Sequence, residues 1–158
     1  METVIASWRG RFELEGVAIV PRKDAYHEIV KTALTKDGWQ ITDDPFLIGF
    51  RGTLLFADLG AEKLTGIRQR PQKVSIEVKV LEEPARFAKF ECAVGQYVVY
   101  RRLMLSLQLQ RELYLAITLN VFTNFFQKRP AVMEVVTGEQ INLLVFDPQR
   151  EEVVQWIK

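Results

Sequence analysis

Val74-Ser75-Ile76-Glu77-Val78-Lys79-Val80-Leu81 sets Val74, Ile76, Val78 and Val80 in strict alternation with Ser75, Glu77 and Lys79. A period of two is that of a β-strand, whose successive side chains leave opposite faces of the sheet. The stretch therefore predicts a strand with one apolar and one polar face, and it puts a carboxylate and an ammonium together on the polar one. Upstream, the basic stretch Arg68, Arg70, Pro71 and Lys73 reads as a loop. Before it come short apolar runs, Trp39 to Ile41, Leu47 to Phe50 and Leu54 to Leu59, cut by Asp43, Asp44, Pro45, Gly49, Gly52 and Gly60. Such runs between turn residues predict successive strands.

Downstream, Pro84 opens a long helix to about Leu107, with Phe87, Phe90, Val94, Tyr97, Val98 and Arg101 along one stripe and its margin. Leu113 to Thr118 has strand length, Val121 to about Val136 reads as a helix, and Ile141 to Phe146 reads as a strand that Asp147 and Pro148 turn. Glu152 to Ile157 returns as a last strand. At the other end, Pro21 breaks the chain, Asp24 is a candidate N-cap, and Tyr26, Ile29, Val30, Ala33 and Leu34 recur at helical spacing until Gly38. Residues 1–20 form an N-terminal extension, read as a short hairpin or a segment across the domain edge, and 21–158 form one domain. Helices alternating with strands, without repeats, make this an α/β chain with a central mixed β-sheet flanked by helices.

The 158 residues suffice for one core, and a 48% hydrophobic and 26% charged composition is that of an ordinary globular chain. A net charge of +1 excludes holding DNA by a broad positive field, so any phosphate contact must be local. One cysteine and one histidine exclude an internal disulfide and a Cys/His zinc site. No apolar run reaches the roughly 20 residues of a membrane span, and a cytoplasmic location is expected.

Chemistry is concentrated around the quoted strand. Asp58 ends the run before it, and a hairpin joining the two would bring Asp58 and Glu77 to one site. Two carboxylates suit a hard cation such as Mg²⁺ or Mn²⁺, which keeps open positions for water and phosphate. Lys79 is then placed to orient a water or to stabilise developing negative charge in phosphodiester hydrolysis. Gln96 and Tyr100, four apart on the long helix, share a face that can point at the same place. On residue types alone, an acid and a base on a strand also describe a merely solvated face.

Taken together, Asp58, Glu77-Val78-Lys79 and Gln96-Tyr97-Val98-Val99-Tyr100 resemble the PD-(D/E)XK nucleases, especially their branch with a Q-x-x-x-Y motif. More closely, Asp24 to Lys31 (DAYHEIVK), Asp37-Gly38-Trp39, Asp58-Leu59-Gly60-Ala61-Glu62 and Gly95-Gln96-Tyr97 resemble the XisH proteins, cyanobacterial factors that control excision of the fdxN DNA element. The likeness runs from about Pro21 to Ile157, through Leu113-Tyr114-Leu115-Ala116-Ile117 and Val154-Gln155-Trp156-Ile157. It implies a restriction-endonuclease-like fold and a Mg²⁺ or Mn²⁺ ion held by Asp58, Glu77 and the backbone carbonyl of Val78. It also implies a role in site-specific DNA rearrangement beside a recombinase and a small XisI-type partner.

Such sites take a further group from the first helix, where Glu28 is the choice by chemistry and His27 the choice by geometry. On a helical wheel, Glu28 points away from the apolar stripe while His27 falls at its margin. As the one histidine, His27 is either a general acid/base or a packed, hydrogen-bonded ring. Two functions follow. One is a metal-dependent DNA endonuclease acting in excision. The other is a non-catalytic accessory protein on a nuclease scaffold, binding an XisI-type partner or contacting DNA through Arg68, Arg70, Lys73, Arg101 and Arg102. Homodimerisation is left open.

Overall fold

The computed structural model describes residues 26–67 and 70–158, together with the backbone of 13–14 and 17–18. Within the extension, β1 (Glu13–Leu14) pairs antiparallel with β2 (Val17–Ala18). Asp24, the candidate N-cap, lies outside the described residues, as does Arg68. Helix α1 (His27–Lys36) starts after Tyr26 and ends where Gly38 takes φ +86°, a left-handed turn that a residue with a Cβ enters only at a cost.

Six strands make the main sheet: β3 (Gln40–Asp43), β6 (Leu59–Thr65), β7 (Arg70–Val78), β8 (Glu112–Thr118), β9 (Leu143–Asp147) and β10 (Glu152–Ile157). Their spatial order is β10-β9-β8-β7-β6-β3. The middle trio β7, β8 and β9 is parallel, and the flanking strands pair antiparallel. Parallel neighbours need crossovers. Helix α2 (Arg86–Ser106) connects β7 to β8. The next connection carries α3 (Leu119–Val121), a π-helical turn over Phe122–Phe126, and α4 (Pro130–Gly138). A separate hairpin, β4 (Phe46–Phe50) with β5 (Thr53–Ala57), lies between β3 and β6 in sequence.

The sheet separates two apolar layers. On one side Val30 and Leu34 of α1 pack with Trp39, Leu59, Val74, Ile76, Val78, Tyr114 and Phe146. On the other, Phe90, Ala93, Tyr97, Tyr100 and Met104 of α2 meet Leu115, Ile117, Val145, Phe125 and Phe126. The β4–β5 hairpin adds Ile48 and Ala57 to this second layer. Alternation along β8 shows the division: Leu113, Leu115 and Ile117 join the α2 layer, Tyr114 and Ala116 the α1 layer.

Several expected boundaries move. The run Leu54 to Leu59 is not one strand but two, broken at Asp58, and β6 beyond the break is the one that pairs with β7. The basic stretch expected as a loop is already strand from Arg70, because the β6–β7 pairing extends to Thr65 opposite Arg70. Val80 and Leu81, expected within the quoted strand, lie past its end at Val78. The expected helix from Val121 to Val136 is interrupted between Phe126 and Pro130, since Pro130 lacks the N–H that a continuing helix requires. The expected stripe on α2 is also shifted: Phe87 is exposed, while Ala93, Tyr100 and Met104 are buried.

Close approach fixes one glycine. A Cβ on Gly60 would stand 2.7 Å from Asp43 Oδ2 and 3.0 Å from Arg111 Nη1, inside contact distance. Arg111 needs that space because its Nη1 donates to the Val74 carbonyl at 2.8 Å while its guanidinium stacks 4.6 Å from the Phe46 ring centre.

Candidate acidic site at the end of the central strands

Leu59 stands opposite Ile76 and Gly60 opposite Ser75. One further step in this antiparallel register sets Asp58 opposite Glu77, and directly opposed residues share a face. That face is the α2 side, because Glu77 is registered with Leu115 on β8. At Asp58 side chains replace the ladder: the Val78 N–H donates to Asp58 Oδ2 at 2.8 Å, and the Asp58 amide lies against the Glu77 carboxylate. Breaking the strand at Asp58 thus turns a backbone pairing position into a carboxylate position.

Glu77 is only 4% exposed. Its Oε1 meets Lys79 Nζ at 2.8 Å, whereas its Oε2 is buried without a partner. Burial, and then repulsion from Asp58, push the Glu77 carboxyl up to about 7 against the pull of Lys79. Asp58 is raised too, chiefly by burial, with the Val78 N–H and the charges of Lys79 and His27 opposing. A buried carboxylate without full compensation is costly. Here two acids share one ammonium, and the charge left over is negative. Ser75 Oγ, on the same face of β7, is likewise buried without a partner.

The helical pair closes this side. Gln96 Nε2 donates to Tyr100 Oη at 2.8 Å, and Tyr100 donates to the Phe56 carbonyl at 3.1 Å, just before the Asp58 break. Burial raises the Tyr100 phenol, and the charges of Glu77, Lys79 and Asp58 all reach it. Asp58, Glu77, Lys79, Gln96 and Tyr100 are thus brought together. Between the strand end and α2 lies a hollow of ≈ 440 Å³, lined by Lys79, Val80, Leu81, Ala88, Lys89, Cys92, Ala93 and Gln96.

The first-helix candidates divide. His27 is buried and its Nε2 lies 2.8 Å from Asp44 Oδ1, so the ring N–H donates to a carboxylate. Lys31 Nζ meets the other oxygen of Asp44 at 2.8 Å, and Glu28 Oε2 is 3.6 Å from the same ammonium. The ligand atoms of His27, Glu28 and Asp44 lie within 4.8 Å of one another, with Lys31 already supplying their cation. Although its burial opposes this, Lys31 and His27 together hold the Asp44 carboxyl below its ordinary value. The charges of His27 and Asp44 both reach Asp58, which makes this group a neighbour of the acidic pair. Asp44 was not singled out in the sequence, because an Asp followed by Pro45 reads as a turn; nothing local marks it as the acceptor for two residues of α1.

The basic residues are dispersed. Lys73 pairs with Glu62 at 3.3 Å. Arg101 donates to the Glu139 and Gln140 carbonyls at the end of α4. Arg70 and Arg102 are exposed.

A model of the XisH protein family matches residues 20–154. The chain belongs to the XisH family. Among solved structures, this XisH chain is similar to an XisH family protein from Nostoc punctiforme PCC 73102, at 36% identity and a TM-score of 0.75, covering 85% of this chain and 100% of that one. It is also similar to an fdxN element excision controlling factor protein from Anabaena variabilis, at 39% identity and a TM-score of 0.77, covering 86% of this chain and 100% of that one. No curated protein matches. No helix among the described residues of this XisH chain is long and apolar enough to cross a membrane.

Proposed function

We propose that this protein is a metal-dependent DNA endonuclease-like factor that acts in the controlled excision of a DNA element, with a restriction-endonuclease-like, PD-(D/E)XK arrangement at the end of β6 and β7. The observation that carries the reading is the unpartnered, buried Oε2 of Glu77 beside Asp58, with one ammonium for two carboxylates. That donor set fits Mg²⁺ or Mn²⁺: hard oxygens, net negative, and short of a full cage. Asp58 and Glu77 would hold the ion, with the Val78 carbonyl as the third protein ligand. When bound, the cation supplies a water of lowered pKa and offsets charge on the scissile phosphate.

The chain's own groups do the rest. Lys79, a quarter exposed and tied to Glu77, is fixed where its ammonium can orient an attacking water or face the developing charge. Gln96 and Tyr100 pin α2 against the Phe56 carbonyl, which keeps the Asp58 break in place. His27 reads best as a positioned ring, since its Nε2 is taken by Asp44.

Calorimetric titration with Mn²⁺ should give one site in the wild type and none in Glu77→Gln or Asp58→Asn. Plasmid nicking with Mg²⁺ or Mn²⁺ should vanish in Lys79→Ala while its Mn²⁺ binding persists. Equal nicking by wild type and Lys79→Ala would sink the enzyme.

A second reading, the accessory protein, draws on the way the cations are used. With Lys73 paired to Glu62 and Arg101 spent on carbonyls, few of the expected phosphate contacts are available on a chain of net charge +1. Co-purification of a small XisI-type partner at fixed stoichiometry, with no nicking under any divalent ion, would select it.

A further inference from the structure

We infer that the hollow beside Lys79 is a subsite for one unpaired nucleotide next to the scissile phosphate, so that the substrate is single-stranded or locally unpaired DNA. This rests on the nuclease reading of the Asp58–Glu77 pair and adds a substrate class to it.

The hollow shares Lys79 and Gln96 with the acidic site and continues from it along the first turns of α2. Its volume of ≈ 440 Å³ falls within the ~300–1,000 Å³ of small-ligand clefts. That is room for one nucleotide. Its surfaces divide by chemistry. Val80, Leu81, Ala88 and Ala93 give an aliphatic floor against which a base or sugar face can lie, while Lys79 and Lys89 bring ammonium groups for flanking phosphates. Lys89 is steadied there by donating to the Glu82 carbonyl at 2.9 Å.

Ala88 and Lys89, from the first turns of α2, bring the hollow up to the helix start, where Glu83 is met by Arg86 at 3.8 Å. A cation at Asp58 and Glu77 would complete a run of positive charge from the scissile phosphate to its neighbour. The floor has no aromatic ring among the lining residues and no ordered set of donors and acceptors for base edges. Recognition is therefore of an unpaired nucleotide as such, not of a sequence. A base inside a duplex reaches such a hollow only by leaving its stack, a cost that an unpaired base does not carry.

The chain has a single cysteine, Cys92, which is exposed and lines the hollow. It allows the hollow to be plugged without a mutation. Binding of a short fluorescein-labelled oligothymidylate and of a blunt duplex is followed by polarisation at low salt, in Ca²⁺ to suppress cutting. Three proteins are compared: the wild type, the wild type alkylated at Cys92 with a bulky maleimide, and Ala88→Trp, which adds a side chain at an exposed helix position. The wild type should bind the oligothymidylate at least tenfold more tightly than the duplex. Both plugged forms should lose that preference, and oligothymidylate should slow alkylation of Cys92. Equal affinity for strand and duplex, no measurable strand binding, or strand binding unchanged by both plugs each overturns the subsite. Mn²⁺ titration of the wild type and the plugged forms separates the two ideas. In the wild type, Mn²⁺ binding without a strand preference removes the subsite alone, whereas no Mn²⁺ binding removes the nuclease reading beneath it; in the plugged forms Mn²⁺ binding should persist.

Discussion

Two acidic centres lie near one another at this end of the sheet, and they are built on opposite principles. At Asp44 the carboxylate receives the His27 ring N–H and the Lys31 ammonium, each at 2.8 Å, and its proton affinity falls. At Glu77 one oxygen has Lys79 and the other no hydrogen-bond partner, an acid stands opposite, and proton affinity rises. Residue type does not distinguish these centres. What differs is how the oxygens are served: Asp44 has a donor on each, whereas Glu77 has one on Oε1 and none on its buried Oε2.

The contrast can be broken most sharply at Asp44. Replacing it with Ala strands a buried imidazole N–H and a half-buried ammonium, and should cost about 3 kcal/mol of stability. Urea unfolding measures this, and a loss under about 1 kcal/mol would put the Asp44 pairs in the class of ordinary surface contacts.

Glu77→Gln should move the other way. With the folded-state carboxyl raised from 4.5 to about 7, the native state binds the proton more tightly than the unfolded chain. A stability penalty therefore builds as pH rises from about 4.5 to about 7 and is complete above that. Gln removes the penalty but leaves Lys79 unpaired, so the net gain should be about 1–2 kcal/mol at pH 8 and near zero at pH 5. Thermal unfolding at the two pH values tests the sign. For Asp44 the sign reverses, because its depressed carboxyl gives stability that is present at neutral pH and lost as pH falls through its folded value.

Divalent ion should sharpen the same contrast. Millimolar Mn²⁺ is expected to raise the wild-type Tm by a few degrees, more at pH 8 than at pH 5, and to leave Glu77→Gln unmoved, whereas Asp44→Asn should keep the gain. Smallest is Tyr100→Phe, expected to cost about 1 kcal/mol through the lost bonds to Gln96 and Phe56. A loss of Mn²⁺ affinity larger than that stability change would show that the phenol also acts on the acid pair.

How much of this is written in the chain depends on whether a signal is local. The β7 alternation is, and it placed Glu77 and Lys79 on one face. It did not reveal that the face is covered, because helices pack on both faces of the sheet and bury β7 on both sides whatever its pattern, so Ser75 and Glu77 are buried. The break at Asp58 was hidden within an otherwise apolar run, where a single Asp also reads as a polar position of one continuous strand. Pairing decided it, since β5 goes to β4 while β6 goes to β7. The interruption between Phe126 and Pro130 carried its own mark in the proline, but apolar periodicity ran straight across it. Asp44 depends on partners 17 and 13 residues away, a relation that spacing does not encode.

Trp39 and Trp156 both donate their indole N–H to the same oxygen of Asp37, at 3.1 Å each, with ring centres 5.2 Å apart. One lies just after α1 and the other on the edge strand β10, so their shared acceptor exists only while the two ends of the fold are fastened. With Trp8 replaced by Phe, indole emission becomes an optical gauge of that clasp, and an early red shift on heating would announce the peeling of β10 before the rest gives way.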